Sequence, residues 1–177
     1  PFVPTAGNYL AFLGRITPDK GPETAMDIAI RAGIPLQMAA KIDAVDREYF
    51  EARIRRRLDH PLIDFVGEMG QDRKTAFLGG ALALLFPIEW PEPFGLVMIE
   101  AMACGTPVIA YRQGSVPEVM SEGVSGFVVE SVEQAVAAIE RLDQIDRHGC
   151  RAYFDQRFTV EHMLQGSLDL YQGQTGK

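Results

Sequence analysis

Short apolar runs alternate with longer amphipathic stretches along most of the chain, and this alternation predicts strands separated by helices. The apolar runs are Tyr9-Leu10-Ala11-Phe12-Leu13 and residues 36–40, 63–66, 81–86, 108–111 and 126–129. Each holds four to six mostly apolar residues, the texture of a strand covered on both faces rather than one with a wet side. Helical periodicity predicts helices over 23–32, 45–58, 72–78 and 96–103, with a short helix over 116–120. Three more, over 132–142, 147–156 and 161–171, close the chain. The fold class is therefore α/β, an open parallel sheet of about six strands with helices on both faces. Ligands in such sheets sit at the carboxyl ends of the strands, where the loops carrying Arg15, Gly67, Glu92 and Gly114 are expected to converge. No internal repeat or low-complexity linker interrupts the pattern, so residues 1–177 are expected to form one domain.

The richest chemistry lies between the fourth strand and the helix after it. Glu92-Pro93-Phe94-Gly95-Leu96-Val97-Met98-Ile99-Glu100 places two carboxylates eight residues apart around a helix start. Pro87 and Pro91 stop the strand, while Gly105 and Pro107 end the helix, so Glu92 falls in the loop and Glu100 in the second helical turn. The amides of Phe94, Gly95, Leu96 and Val97 precede any intrahelical partner, and Gly95 has no side chain to hold a ligand away. Such a helix start accepts anions.

The order Glu-Pro-Phe-Gly-Leu-x-x-x-Glu-Ala-x-Ala-x-Gly-x-Pro-Val-Ile, from Glu92 to Ile109, closely resembles the E-x7-E signature of the retaining family-4 (group 1) glycosyltransferases of two-domain GT-B fold. Gly14-Arg15 with Lys20-Gly21 matches the Gly-Arg-x-x-x-x-Lys-Gly segment of the same family. The resemblance covers about residues 8–142 and implies one Rossmann-like half of a GT-B fold, the C-terminal nucleotide-sugar-binding domain. It implies a nucleoside-diphosphate sugar as donor substrate, no cofactor, no metal, and transfer of the glycosyl group with retention of configuration. The acceptor would be bound mostly by an N-terminal domain that these residues do not contain, so the isolated domain is expected to be inactive. Residue by residue, the resemblance places Glu92 at the donor sugar near the anomeric carbon and Glu100 on the ribose hydroxyls. Arg15 and Lys20 contact the diphosphate, with Gly14 beside them; Val66 and Gly67 meet the nucleobase through backbone groups. Phe94, Gly95, Leu96 and Val97 supply the helix-start amides. Fixed cations aimed at a leaving diphosphate stabilise the transition state more than the ground state, which makes Arg15 and Lys20 catalytic alongside Glu92.

Other matches to the family carry less information. Gly114-Ser115-Val116-Pro117-Glu118 matches its Gly-x-x-Glu turn, with Glu118 read as structural, and Gly123 to Phe127 matches a hairpin whose glycines suit a turn. Lys41 follows the second strand at the ligand end. The segment 159–177 resembles the helix that crosses back to the N-terminal domain in intact members and is expected to be loosely held. The chain opens on Pro1 rather than Met, so a native start upstream is expected. A second reading stays open at this point: a stand-alone, non-catalytic nucleotide-sugar-binding or regulatory module. An epimerase or phosphorylase of the same fold fits the joint occurrence of Glu92-Pro93-Phe94-Gly95 and Gly14-Arg15 with Lys20 less well.

Composition narrows the partners. The net charge is -7 over 177 residues, and the acidity lies in the second part: residues 1–80 hold 11 basic and 11 acidic side chains, residues 81–177 hold 6 and 13. Nucleic acid is not an expected partner. The run Arg53, Arg55, Arg56 and Arg57 follows Asp46, Glu48 and Glu51 on one amphipathic stretch and reads as a solvated helix face rather than a contact for an acidic partner or membrane. No apolar run reaches the roughly 20 residues of a membrane span, so membrane contact is expected only through the other half. Cys104 and Cys150 show no metal or disulfide spacing and read as free thiols in a reducing, cytoplasmic setting. Asp-x-Asp, G-x-x-x-x-G-K-[ST] and G-x-G-x-x-G are absent, which argues against metal-dependent GT-A transferases, P-loop NTPases and dinucleotide enzymes. His60, His148 and His162 stand apart from one another and from any nucleophile, and none is assigned a catalytic role.

Overall fold

The computed structural model describes residues 2–159. Six strands form one sheet in the order β3-β2-β1-β4-β5-β6: β1 Leu10–Arg15, β2 Leu36–Lys41, β3 Ile63–Gly67, β4 Ala83–Phe86, β5 Val108–Tyr111 and β6 Gly126–Val129. Every pairing is parallel. Successive connections run from β1 outward to β3, then return across the sheet to β4 and continue outward to β6. Right-handed crossovers in opposite directions put their helices on opposite faces. α1 (Pro22–Ala32) accordingly packs with α6 (Val132–Ile139), whereas α4 (Leu96–Ala103) packs with α3 (Gln71–Gly79) and α7 (Arg147–Arg157). The fold class is the one that the alternation predicts. The strand order reverses between β1 and β4, and a crevice opens at that point.

Burial follows from the layering. All four residues of β4 are buried, as are Leu10, Ala11 and Phe12 of β1, because helices cover these central strands above and below. The short helix α5 (Val116–Val119) inserts Val116 and Val119 into the same core.

Three elements differ from the sequence pattern. Residues 45–58 do not form one regular helix: a single α turn, α2 (Arg47–Tyr49), opens into a π-helical segment at Phe50–Ile54 and then tightens to a 3-10 segment at Arg55–Asp59. Tertiary contacts set this pitch. Phe50 and Ile54 are buried, Phe50 packs against Phe65 at 6.0 Å, and Arg53 and Arg57 are tied to Glu23 and Asp27 of α1. His60, held extended before Pro61, stops the segment, and its Nδ1 accepts from Leu62 N at 3.2 Å. Arg53 and Arg57 of the basic run are thus partly neutralised by α1, while Arg55 and Arg56 are exposed. β4 begins at Ala83 rather than 81, and α6 ends at Ile139 before a 3-10 turn at Leu142–Gln144. The predicted helix over 161–171, His162 and nearly all of the 159–177 segment lie outside the described residues.

One buried residue escaped the sequence pattern. Arg147, 9% exposed, donates from Nε to Val3 O (3.0 Å), from Nη1 to Ala81 O (2.9 Å), and from Nη2 to Gly79 O (2.7 Å) and Thr106 Oγ1 (2.8 Å). Thr106 Oγ1 in turn donates to Leu78 O at 2.8 Å. The guanidinium therefore cross-links four chain segments at the amino ends of the strands, opposite the crevice. Burial presses its pKa down, against the field of neighbouring thiol and phenol groups.

Candidate functional site

Two adjoining clefts lie at the carboxyl ends of the central strands, of about 330 and 400 Å³. They share Leu13, Gly14, Leu96 and Val97, so β1 and the start of α4 form the ridge between them. Each falls within the size range of small-molecule sites, and together they are long enough for an extended ligand. The first is walled by Lys41, Glu68, Met69, Lys74 and Glu100, and the second by Arg15, Lys20, Phe86, Glu92, Pro93, Phe94 and Gly95. Nine of the eleven residues picked out in the sequence thus meet on one surface. Val66 and Gly67 end β3 beside it, and the lining begins one residue later, at Glu68.

The loop bearing Glu92 is held on both sides. Glu89 N donates to Asp19 O at 2.9 Å, tying it to the turn Pro18–Lys20 that carries Lys20. On the other side Ser115 N donates to Glu92 O at 2.9 Å. Gly114, at φ 51°, lies so close that an added Cβ would stand 2.4 Å from Glu92 O, which explains the glycine of the Gly114-to-Glu118 turn. Glu118 itself is exposed on α5.

The Glu92 carboxylate already has partners. Lys20 Nζ donates to Oε2, and Trp90 Nε1 donates to the same oxygen at 3.1 Å. The two charged side chains are only 19% and 17% exposed, and the Lys20 ammonium stands 5.3 Å from the centre of the Trp90 ring. Lys20 is thus engaged by the Glu92 carboxylate, a pairing that the motif does not state. Trp90 carried no signal in the motif, because its N–H matters only once the loop closes.

Arg15 leaves the end of β1 with its side chain 55% exposed, 3.8 Å from Asp43. Asp43 also binds Lys41 Nζ at 2.8 Å. That hydrogen bond draws the Asp43 carboxyl below the ordinary carboxylate range and raises the Lys41 ammonium above its ordinary value. Asp43 was missed in the sequence; the signal available was its position two residues beyond Lys41 at a strand end. Across the first cleft, Glu100 Oε1 accepts from Lys74 Nζ at 3.4 Å, so α3 steadies the second carboxylate of the motif.

Gly95 precedes α4 as its N-cap, with φ 74° and no side chain with which to cap the helix. An added Cβ there would meet Met98 Cε at 2.6 Å and the Phe86 ring at 3.3 Å. A left-handed backbone packed on the core therefore requires glycine here. The first amides of α4 stay without intrahelical partners where Leu96 and Val97 line both clefts. Among the described residues, no three His, Cys, Asp or Glu side chains are grouped to hold a metal ion. No described helix is long and apolar enough to cross a membrane. Cys104 and Cys150 are buried free thiols, and burial pushes Cys150 up to about 12.

This architecture recurs in known proteins. Anabaena HepE, solved in complex with UDP, superposes with TM-score 0.80 at 21% identity, over 94% of this chain and 49% of that one. The C-terminal domain of the group 1 glycosyl transferase LpcC from Francisella tularensis superposes with TM-score 0.72 at 20% identity, over 87% of this chain and 88% of that domain. At such identities the likeness establishes the fold, here one half of a GT-B pair. D-inositol 3-phosphate glycosyltransferase of Mycobacterium leprae is 33% identical over 182 aligned residues, covering 94% of this chain and 40% of the relative. The chain thus spans about two fifths of the curated relatives it matches. The family model for glycosyl transferases group 1 matches residues 2–153, which include Arg15, Lys20, Glu92 and Glu100, and the chain belongs to that family.

Proposed function

We infer that this chain binds a nucleoside-diphosphate sugar and, together with an N-terminal acceptor-binding domain, transfers the glycosyl group to an acceptor with retention of configuration. The observation that carries the reading is the meeting of Arg15, Lys20, the start of α4, Glu92 and Glu100 in two joined clefts at the reversal of strand order. The first cleft suits the nucleoside, with Glu100 on the ribose hydroxyls and the base against the end of β3 near Val66, Gly67 and Glu68. The diphosphate lies over Gly14 and the first α4 amides, between Arg15 and Lys20. The sugar then faces Glu92, which orients its hydroxyls or stabilises positive charge at the anomeric carbon.

The positive field over the diphosphate comes from two side chains and a helix start, so binding is expected to need no divalent metal and no cofactor. UDP in HepE supports uracil as one base to try. Two buried thiols support a cytoplasmic setting. Calorimetric titration of UDP, GDP and ADP with and without a chelator tests this reading. Saturable binding of at least one diphosphate, unchanged by chelator, is expected; loss of binding in chelator refutes the metal-free field, and no binding of any diphosphate refutes the site.

A further inference from the structure

Glu92 is held by two donors, and only one of them has a competing use. Lys20 Nζ and Trp90 Nε1 both reach Oε2, the indole at 3.1 Å. On the nucleotide-sugar reading of the clefts, on which this inference rests, an arriving diphosphate draws Lys20 away, because two phosphates carry more negative charge than one carboxylate. Glu92 then keeps the Trp90 N–H. A largely buried carboxylate that has lost its cation holds one direction only if another donor fixes it.

The local chain is built to supply that donor. Pro91, between the two residues, confines Trp90 to extended backbone and fixes its own φ. Glu92 N donates to Trp90 O at 2.8 Å, closing a tight turn that brings side chains 90 and 92 to the same side. Trp90 is 37% exposed and lines neither cleft, so it acts through Glu92 and not on a ligand directly. We propose that Trp90 is a positioning residue whose indole N–H holds the Glu92 carboxylate toward the donor sugar after Lys20 has moved to the diphosphate.

The same geometry supplies a readout. Trp90 is the single tryptophan in the chain, and the Lys20 ammonium lies over its ring. Loss of that cation changes the surroundings of the only indole, so its emission reports the transfer. The test titrates this chain with UDP, GDP and ADP, their glucose esters and the free nucleosides, following calorimetry and tryptophan emission together. The diphosphate that binds is expected to change the emission, its free nucleoside to leave it unaltered, and Lys20→Met to abolish the change. Trp90→Phe is expected to keep diphosphate affinity within about twofold and to lower the affinity of the glucose ester relative to the diphosphate by about tenfold or more, as for a lost hydrogen bond to a charged group. In a Glu92→Gln background, where the amide oxygen is the weaker acceptor, the same substitution should have a smaller effect. Diphosphate binding without a change in emission, or an unaltered ester-to-diphosphate ratio in Trp90→Phe, overturns the role of Trp90 and leaves the site standing. Absence of any diphosphate binding by calorimetry overturns the reading of the site itself.

Discussion

Replacing Glu92 by Gln should tighten binding of the bare nucleoside diphosphate, a sign that the sequence motif alone would not suggest. Read from sequence, Glu92 faces the sugar, and its loss should leave diphosphate affinity nearly intact. In the structure Lys20 is paired with Glu92, so a diphosphate must compete for that cation. The pair is about four-fifths buried, between the regimes of exposed pairs, at roughly 0 to 1 kcal/mol, and buried ones, where breaking a pair costs roughly 3 to 5 kcal/mol. The replacing amide still offers a neutral oxygen to both Lys20 and Trp90, so only the difference between a charged and a neutral acceptor is released. Removing a negative charge beside an anionic ligand acts in the same direction. The expected gain is about 1 kcal/mol, or roughly fivefold in Kd. Calorimetry at low and at moderate salt measures it, and the gain should shrink as salt rises. Weaker or unchanged diphosphate binding in Glu92→Gln, with Lys20→Ala still weakening it, would refute competition for Lys20.

Further outcomes follow from other parts of the molecule. Arg15→Ala should weaken diphosphate binding by about 1.5 to 3 kcal/mol and spare the free nucleoside, whereas Glu100→Gln should weaken both, since the proposed reading puts it on the ribose side; equal losses in the two variants for both ligands would contradict that placement. Arg147→Met strands three backbone carbonyls that now accept from a charged donor, and should cost about 3 kcal/mol in urea unfolding while leaving diphosphate affinity of the folded protein unchanged. Cys150, with an ordinary thiol value near 9 raised to about 12 by burial, stays protonated in the native state while the unfolded chain loses its proton. Folding stability should therefore be unaffected by this group below pH 9 and fall as pH climbs from 9 toward 12; a Cys150→Ser comparison in urea isolates the effect, and an unchanged slope would refute it.

The sequence determined the fold class through local physics, while the residues expected at the site came from the resemblance to the family motif. Buried parallel strands must be short and apolar throughout, crossover helices must show helical periodicity, and a helix that starts against an anion must offer uncapped amides. All three leave marks within a few residues of each other, and β1 to β6 were legible for that reason. The eight-residue spacing of Glu92 and Glu100 likewise states, before any tertiary contact, that one carboxylate precedes a helix and the other lies in its second turn.

Tertiary structure alone decided which groups pair. Lys20 and Glu92 are 72 residues apart in the chain, and their union depends on the turn Pro18–Lys20 meeting the loop after β4 through Glu89 N and Asp19 O. The irregular helix at 45–58 and the buried Arg147 have the same origin, since both answer to residues far away in sequence: Glu23 and Asp27 for the one, Val3, Gly79, Ala81 and Thr106 for the other. Even at Gly95 a side chain would meet Met98 and Phe86 behind it, a requirement that no local pattern states. Periodicity and caps act over one or two turns of chain and so are written in order along it. Charge pairing, side-chain desolvation and steric clearance depend on distance in space, and only the folded sheet sets those distances.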